Sequence, residues 1–176
     1  MKELYIIDGY NFIFNYFKPE GVNKEKLAFF RDKLVRDLTQ YSNFKGYKFV
    51  VVFDAKHSPR RIRSEEKIDN VEIIYSRGEE TADTIIEKLV HSNEEYERIF
   101  VITSDYVQQK VVFKKDIYRK SIREFAIELE DFKKELGKEI ESLKRDAERS
   151  FYIVEKRLDK TTRNLLEDIR KDNIEK

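Results

Sequence analysis

The chain contains no cysteine. That removes disulfides, thiol nucleophiles and thiolate zinc sites from consideration. Histidine is nearly as scarce, with only His57 and His91, so a histidine-built zinc cage is not expected either. No stretch approaches the roughly 20 consecutive apolar residues that a membrane span needs. No internal repeat or low-complexity linker breaks the pattern. Met1-Lys2-Glu3 runs straight into an apolar segment, without the hydrophobic region of a leader. The expectation is a cytoplasmic protein with no membrane role. Its chemistry must fall to Asp, Glu, Ser, Thr, Tyr, Lys and Arg.

What is present is charge. Of 176 residues 40 % are charged and 40 % are hydrophobic, enough for one compact core under a heavily solvated exterior, with room for a helical appendage. The formal net charge of +1 conceals local bias. Lys56 to Arg63 carries four basic residues and no acid; Lys110 to Arg123 carries six against Asp116 alone. Such clusters beside an acidic site suit a nucleic-acid surface. They equally suit solvated loops and helix faces.

Periodicity orders the elements. Leu4 to Ile7, Phe49 to Phe53 and Ile99 to Ile102 are short continuous apolar runs, as in strands buried on both faces, and Val71 to Tyr75, interrupted only by Glu72, reads as a further strand. The first is expected to close in a turn at Asp8-Gly9. Leu27, Phe30, Leu34, Leu38 and Tyr41 mark a helix from Asn23, with Gly46 as its C-cap region. Ala82, Ile85, Ile86, Leu89 and Val90 mark another over Thr81 to Val90, and Tyr106 to Phe113 reads as a short third. From a capping-box pattern at Ser121 and Glu124 the chain stays helical, as one long helix or a hairpin, with a last short helix through Leu165, Leu166 and Ile169. The order predicts a mostly parallel sheet covered on both faces. No fifth strand is evident.

Three of the four apolar runs end in an aspartate: Asp8, Asp54 and Asp105. Ligands of open parallel sheets bind beyond the carboxyl ends of the strands. Glu80-Thr81-Ala82-Asp83 opens a helix, with its two carboxylates three residues apart and so on one face. Converging carboxylates raise one another's pKa unless a cation compensates. Mg²⁺ and Mn²⁺, which prefer oxygen ligands, would do so and would activate water for attack at phosphorus. The bland reading is that Asp is a common turn and N-cap residue.

Ile6-Ile7-Asp8-Gly9-Tyr10-Asn11, Val51-Val52-Phe53-Asp54-Ala55, Glu80-Thr81-Ala82-Asp83 and Thr103-Ser104-Asp105-Tyr106 occur in that order. Together they resemble the NYN branch of the PIN-like nucleases, and most closely its YacP-like bacterial proteins, over roughly Leu4 to Leu129. The resemblance implies a PIN-like three-layer α/β/α nuclease domain over 1–136, and a helical extension over 137–176 that packs on it or projects from it. It implies a Mg²⁺- or Mn²⁺-dependent endoribonuclease. In that reading Asp8, Asp83 and Asp105 are metal ligands, and Glu80 is a further ligand or water-orienting base. Asn11 holds the Asp8 loop or contacts substrate, Asp54 lines the cleft, and Thr103 and Ser104 support the metal shell or a phosphate. The family includes a ribosome-associated enzyme that cleaves mRNA, which would make mRNA and the ribosome partners.

On that reading Lys56, Arg60, Arg61 and Arg63 become RNA phosphate contacts through counterion release, as do Arg119 and Lys120. His57 reads as a surface residue. Of the aromatic group Tyr10, Phe12, Phe14, Tyr16 and Phe17, the phenylalanines read as core. Tyr10 and Tyr106, beside motif acids, are the exposed candidates for base stacking. Two other functions stay open. One is a catalytically silent RNA- or ribosome-binding adaptor. The other is a phospho-acceptor signalling domain, which would need a second acid beside Asp8 and a lysine ending a further strand.

Overall fold

Short β-branched and aromatic runs, free of proline, make the inner strands of a six-stranded sheet. The computed structural model describes residues 2–54, 64–76, 80–93, 95–104, 116–157 and 162. In chain order the elements are β1 (Glu3–Asp8), α1 (Gly9–Tyr16), α2 (Lys24–Lys45), β2 (Lys48–Phe53), β3 (Ser64–Ile68), β4 (Val71–Tyr75), α3 (Ala82–Ser92), β5 (Arg98–Ile102), β6 (Ile117–Lys120) and α4 (Ile122–Arg157). The sheet runs β3-β4-β2-β1-β5-β6. Every pairing is parallel except β3 with β4. The expected mostly parallel α/β architecture is what the chain adopts.

Alternation along the strands separates two faces. Leu4, Ile6, Val50, Val52, Ile74, Ile99 and Val101 pack with Ala82, Ile85, Ile86 and Val90 of α3. The opposite face is aromatic, and its centre is the buried Phe125 of α4. That ring lies 5.9 Å from Tyr5, 5.9 Å from Phe49, 5.9 Å from Phe12 of α1 and 6.0 Å from Tyr41 of α2. The layers are therefore helix, sheet, helix. The chain divides into two compact units, Met1–Glu130 and Asp131–Lys176. In the second, Ile140, Leu143, Phe151, Tyr152 and Ile153 are exposed. The expected short helices around 106–113 and 165–169 lie outside the described residues.

Helix ends follow local chemistry. Asn23 caps α2 by accepting from the Lys26 N–H, and Gly46 ends it at φ 75°, its N–H on the Ser42 carbonyl at 2.7 Å. The capping box at α4 is formed. Ser121 Oγ accepts from the Glu124 N–H at 3.2 Å, while Glu124 Oε2 accepts from the Ser121 N–H at 2.8 Å. The Ser121 hydroxyl and N–H hold the Glu124 carboxyl below its ordinary range, against a smaller opposing effect of burial. Ser121→Ala should cost about 1 kcal/mol in thermal unfolding at neutral pH. The bond from the Glu124 N–H to Ser121 does not titrate, but the part contributed by the Glu124 carboxylate, whose folded pKa is depressed, is present above its ordinary value of 4.5. It fades as pH falls through the lower folded value.

Three expectations are corrected. Asp8-Gly9 is not a turn closing β1, because α1 starts at Gly9 and Asp8 is its N-cap. The aromatic density of Gly9–Tyr16 hid a helix whose inner side is buried at Tyr10, Phe12 and Ile13. β3 (Ser64–Ile68) is an unexpected edge strand. Its run Glu65-Glu66-Lys67 has no apolar face, and it pairs as the outer arm of a hairpin turning at Asp69-Asn70, where Asp69 takes φ 51° and accepts from Asn43 Nδ2 at 3.0 Å. A fifth parallel strand, β6, also exists. Four residues at a sheet edge carry too little periodicity to be seen.

Candidate functional site

The carboxyl ends of β1, β2 and β5 lie side by side. Asp8 pairs in register with Val52, and Ile7 with Ile102. Asp8 continues the face of Leu4 and Ile6, Asp54 that of Val50 and Val52, and Thr103 that of Ile99 and Val101. Of the three, only Asp8 lies within its strand; Asp54 is the residue after β2, and Thr103 the residue after β5. The first turn of α3 brings Asp83, and the residue before its cap is Glu80. Asp8 and Asp54 are half-buried, Asp83 is exposed, and Thr103 is buried. Asp105 lies outside the described residues, as do Lys56, His57, Arg60, Arg61, Arg63 and Tyr106.

Asp8 is fixed by its own helix. Its Oδ1 accepts from the Asn11 N–H at 3.0 Å, satisfying one of the unpaired donors of α1. The Asn11 side chain turns the other way. Its Oδ1 accepts from Ser104 Oγ at 2.6 Å and from Asn15 Nδ2 at 2.9 Å. Asn15 Nδ2 also reaches Ser104 Oγ at 3.3 Å. This network ties α1 to the end of β5, and so sets Asp8 relative to the chain leading into Asp105. Asn15 went unread in the sequence; its only signal is the i, i+4 repeat of asparagine on an aromatic helix.

Glu80 and Asp83 do not share a helical face. Thr81 is the N-cap of α3, with Oγ1 accepting from the Thr84 N–H at 3.3 Å. Glu80 therefore stands outside the helix, where its Oε1 meets Lys88 Nζ at 2.6 Å. Asp83 sits in the first turn, where the helix dipole favours a negative charge. Among the described residues no three Asp, Glu or His side chains are gathered closely enough to hold a metal ion. The donor chemistry nonetheless fits a hard divalent cation, being all carboxylate oxygen, with Asp8 partly shielded from solvent.

Two expected RNA contacts are corrected. Tyr10 is only 4 % exposed, so its ring offers no face to a base. It packs edge-on against Phe53 at 5.1 Å, and its hydroxyl accepts from Arg31 at 3.4 Å. Burial raises its pKa, with Arg31 acting in the opposite direction. Gly9 opens helix α1 where a turn was expected, and Tyr10 lies on the buried side of that helix.

Lys120 is likewise engaged. Its ammonium is 2.8 Å from Glu128 Oε2 and lies over the rings of Phe100, at 4.9 Å, and Tyr5, at 5.3 Å. It therefore covers the aromatic face rather than reaching for phosphate. Lys120→Met keeps the apolar stem over those rings and leaves Glu128, 40 % exposed, to solvent, so it should change stability by less than about 1 kcal/mol. RNA affinity should stay at the wild-type level; a clear loss would return Lys120 to the phosphate contacts. Arg119 is exposed and remains a candidate.

The model of the YacP-like NYN domain family matches residues 5–171. A Bacillus subtilis protein, the uncharacterized protein YacP, is 30 % identical over 142 residues, covering 80 % of this chain and 83 % of its own. The crystal structure of Rae1 (YacP) from Bacillus subtilis superposes with a TM-score of 0.71 at 27 % identity, over 99 % of this chain and 98 % of that one. A tryptophan-to-leucine mutant of the same Bacillus subtilis protein gives 0.69 at 29 % identity, over 96 % and 99 %.

Proposed function

This chain belongs to the YacP-like NYN domain family, and we propose that it is a divalent-metal-dependent endoribonuclease working at the carboxyl edge of its sheet. One observation carries the reading. The carboxyl ends of β1, β2 and β5 lie side by side, where Asp8 ends β1, Asp54 follows β2 and Thr103 follows β5, and the first turn of α3 carries Asp83. Asp8, Asp83 and Asp105 would hold Mg²⁺ or Mn²⁺. Such an ion, when bound, supplies an activated water and offsets the charge that develops at phosphorus.

The chain's own groups do the rest. Asp8 is held rigid by the Asn11 N–H, and Asn11 with Asn15 and Ser104 fixes the relation of α1 to β5. Glu80, now on Lys88, stands outside the helix as the carboxylate for orienting a water. The buried Thr103 supports the strand end, and Asp54 lines the cleft. Lys56, Arg60, Arg61, Arg63 and Arg119 would neutralise flanking phosphates. The substrate we propose is mRNA, cut in a ribosome-associated setting, on the strength of the family resemblance.

The phospho-acceptor alternative gains one of its two requirements, since Lys120 ends β6 in parallel with β5. It lacks the other. Asp8 is followed by Gly9 and preceded by buried Ile7, with no second acid beside it. The lysine is also turned onto Glu128.

The test is cleavage of labelled RNA by purified protein, alone and with translating ribosomes. Chelation by EDTA should abolish cleavage, and Mn²⁺ or Mg²⁺ should restore it. Asp83→Asn should lower it at least about 10-fold, since even groups supporting a metal ligand contribute that much. Cleavage only with ribosomes would support the mRNA setting. No cleavage of any RNA in either setting would leave the silent adaptor.

A further inference from the structure

We propose that Phe14, Phe17, Phe29 and Phe30 form a stacking platform for single-stranded RNA running to or from the acidic edge. The proposal rests on the reading of the chain as an RNA-cleaving enzyme, and it names where the flanking nucleotides lie. The sequence pattern reads the phenylalanines near the first strand as core. The structure divides them. Phe12 is fully buried, whereas Phe14 is 36 % exposed and Phe17 half-buried; on α2, Phe29 is 58 % exposed and Phe30 half-buried. Three of the rings are continuous, with centroids 5.1 Å apart for Phe17 and Phe30 and 5.4 Å for Phe29 and Phe30. Phe14 is joined to the buried Tyr10 at 6.4 Å.

Position and charge argue for the occupant. Helix α1 leads from its N-cap Asp8 to its C-cap Phe17, about 13 Å along its axis at 1.5 Å per residue, the reach of a few nucleotides. α2 lies against α1, with Arg31 on the Tyr10 hydroxyl. Between Phe17 and Lys33 the chain has five basic residues against three acidic ones. Lys33 sets its ammonium 5.0 Å from the Phe17 ring centre. An open cavity of about 500 Å³ beside Phe29 and Phe30, walled by Pro19, Lys26 and the carboxylates of Glu20 and Glu25, offers space for a base but not for its phosphate. Phenylalanine faces interleaved with lysine are what sequence-tolerant binding of single strands uses. A protein-docking patch would need the apolar area but not the flat rings, and this difference can be measured.

The chain has no tryptophan, so Phe29→Trp installs a single fluorophore at the exposed end of the platform. In metal-free buffer, unstructured RNA should quench it saturably, and the same sequence as a duplex should not. Phe29→Leu and Phe17→Leu should each weaken single-strand affinity about 10-fold, with Phe29→Tyr restoring it. That rescue holds the conclusion even if a leucine variant melts early. Wild-type affinity in both leucine variants overturns the platform, even if the enzyme cuts RNA, and leaves the patch to a protein partner. Aromatic-dependent binding without cleavage by the wild type supports the platform while removing the nuclease reading.

Discussion

Asp8→Asn is expected to fold as stably as the wild-type protein and to lose RNA cleavage by at least about 10²-fold. The two halves of that result come from two roles of one side chain. As N-cap of α1, Asp8 needs only an oxygen to accept the Asn11 N–H at 3.0 Å. Asparagine supplies that oxygen and caps about as well as aspartate. As the proposed metal ligand Asp8 needs a negative charge, which asparagine lacks. Mutation of groups merely supporting a metal ligand costs 10- to 100-fold, so loss of a ligand should cost at least the upper end of that range. Asp8→Ala removes both roles and should also lower stability by about 1 kcal/mol. Circular-dichroism melting alongside cleavage rates separates the two. Cleavage by Asp8→Asn at the wild-type rate would sink the proposed site, whatever the melting curve showed.

Gly9→Ala is expected to destabilise the protein strongly for a residue at a helix start, where alanine would ordinarily help. A Cβ at Gly9 would run into the aromatic ring of Phe53. That ring is fully buried and stacked against Tyr75 at 5.5 Å, so it has nowhere to swing. Overpacking of this kind costs about 1–3 kcal/mol, a fall of roughly 2–12 °C in Tm at this chain length. Relief of the strain by moving α1 would shift Asp8, so cleavage should fall as well. The cause is checked by pairing it with Phe53→Leu. If the ring is the obstacle, the double variant should lose less stability than the two single losses added together. Strict additivity would rule the clash out.

The glycine shows why part of the fold was legible and part was not. Leu4–Ile7, Phe49–Phe53 and Ile99–Ile102 announced themselves as runs without charge, as strands buried on both faces tend to be, and Val71–Tyr75 did so despite the half-buried Glu72, which meets Lys48 at 3.6 Å. Asn23, Gly46 and the Ser121–Glu124 box were legible because caps depend on a few adjacent residues. β3 and β6 were not, since edge strands need only a partner and one has no apolar face. Helix α1 was hidden because its aromatic residues fill a core that lies on other elements. The register of Glu80 was misjudged for a local reason: Thr81, not Glu80, provides the capping oxygen for α3.

By itself the sequence determined the kind of chemistry open to this protein. Without cysteine and with two histidines, only carboxylates, hydroxyls and cations are at hand. Asp8, Asp54 and Asp105 each follow or end an apolar run, and this alone led to the expectation of one acidic edge, since parallel strands bring their carboxyl ends together. Only the tertiary structure decided which residues are free to meet a substrate. It buried Tyr10 against Phe53 and folded Lys120 onto Glu128. It left Phe29 exposed and linked Asn11, Asn15 and Ser104 across 89 positions of chain. The physical reason is that exposure and pairing depend on contacts between elements distant in sequence. Local periodicity carries no information about those.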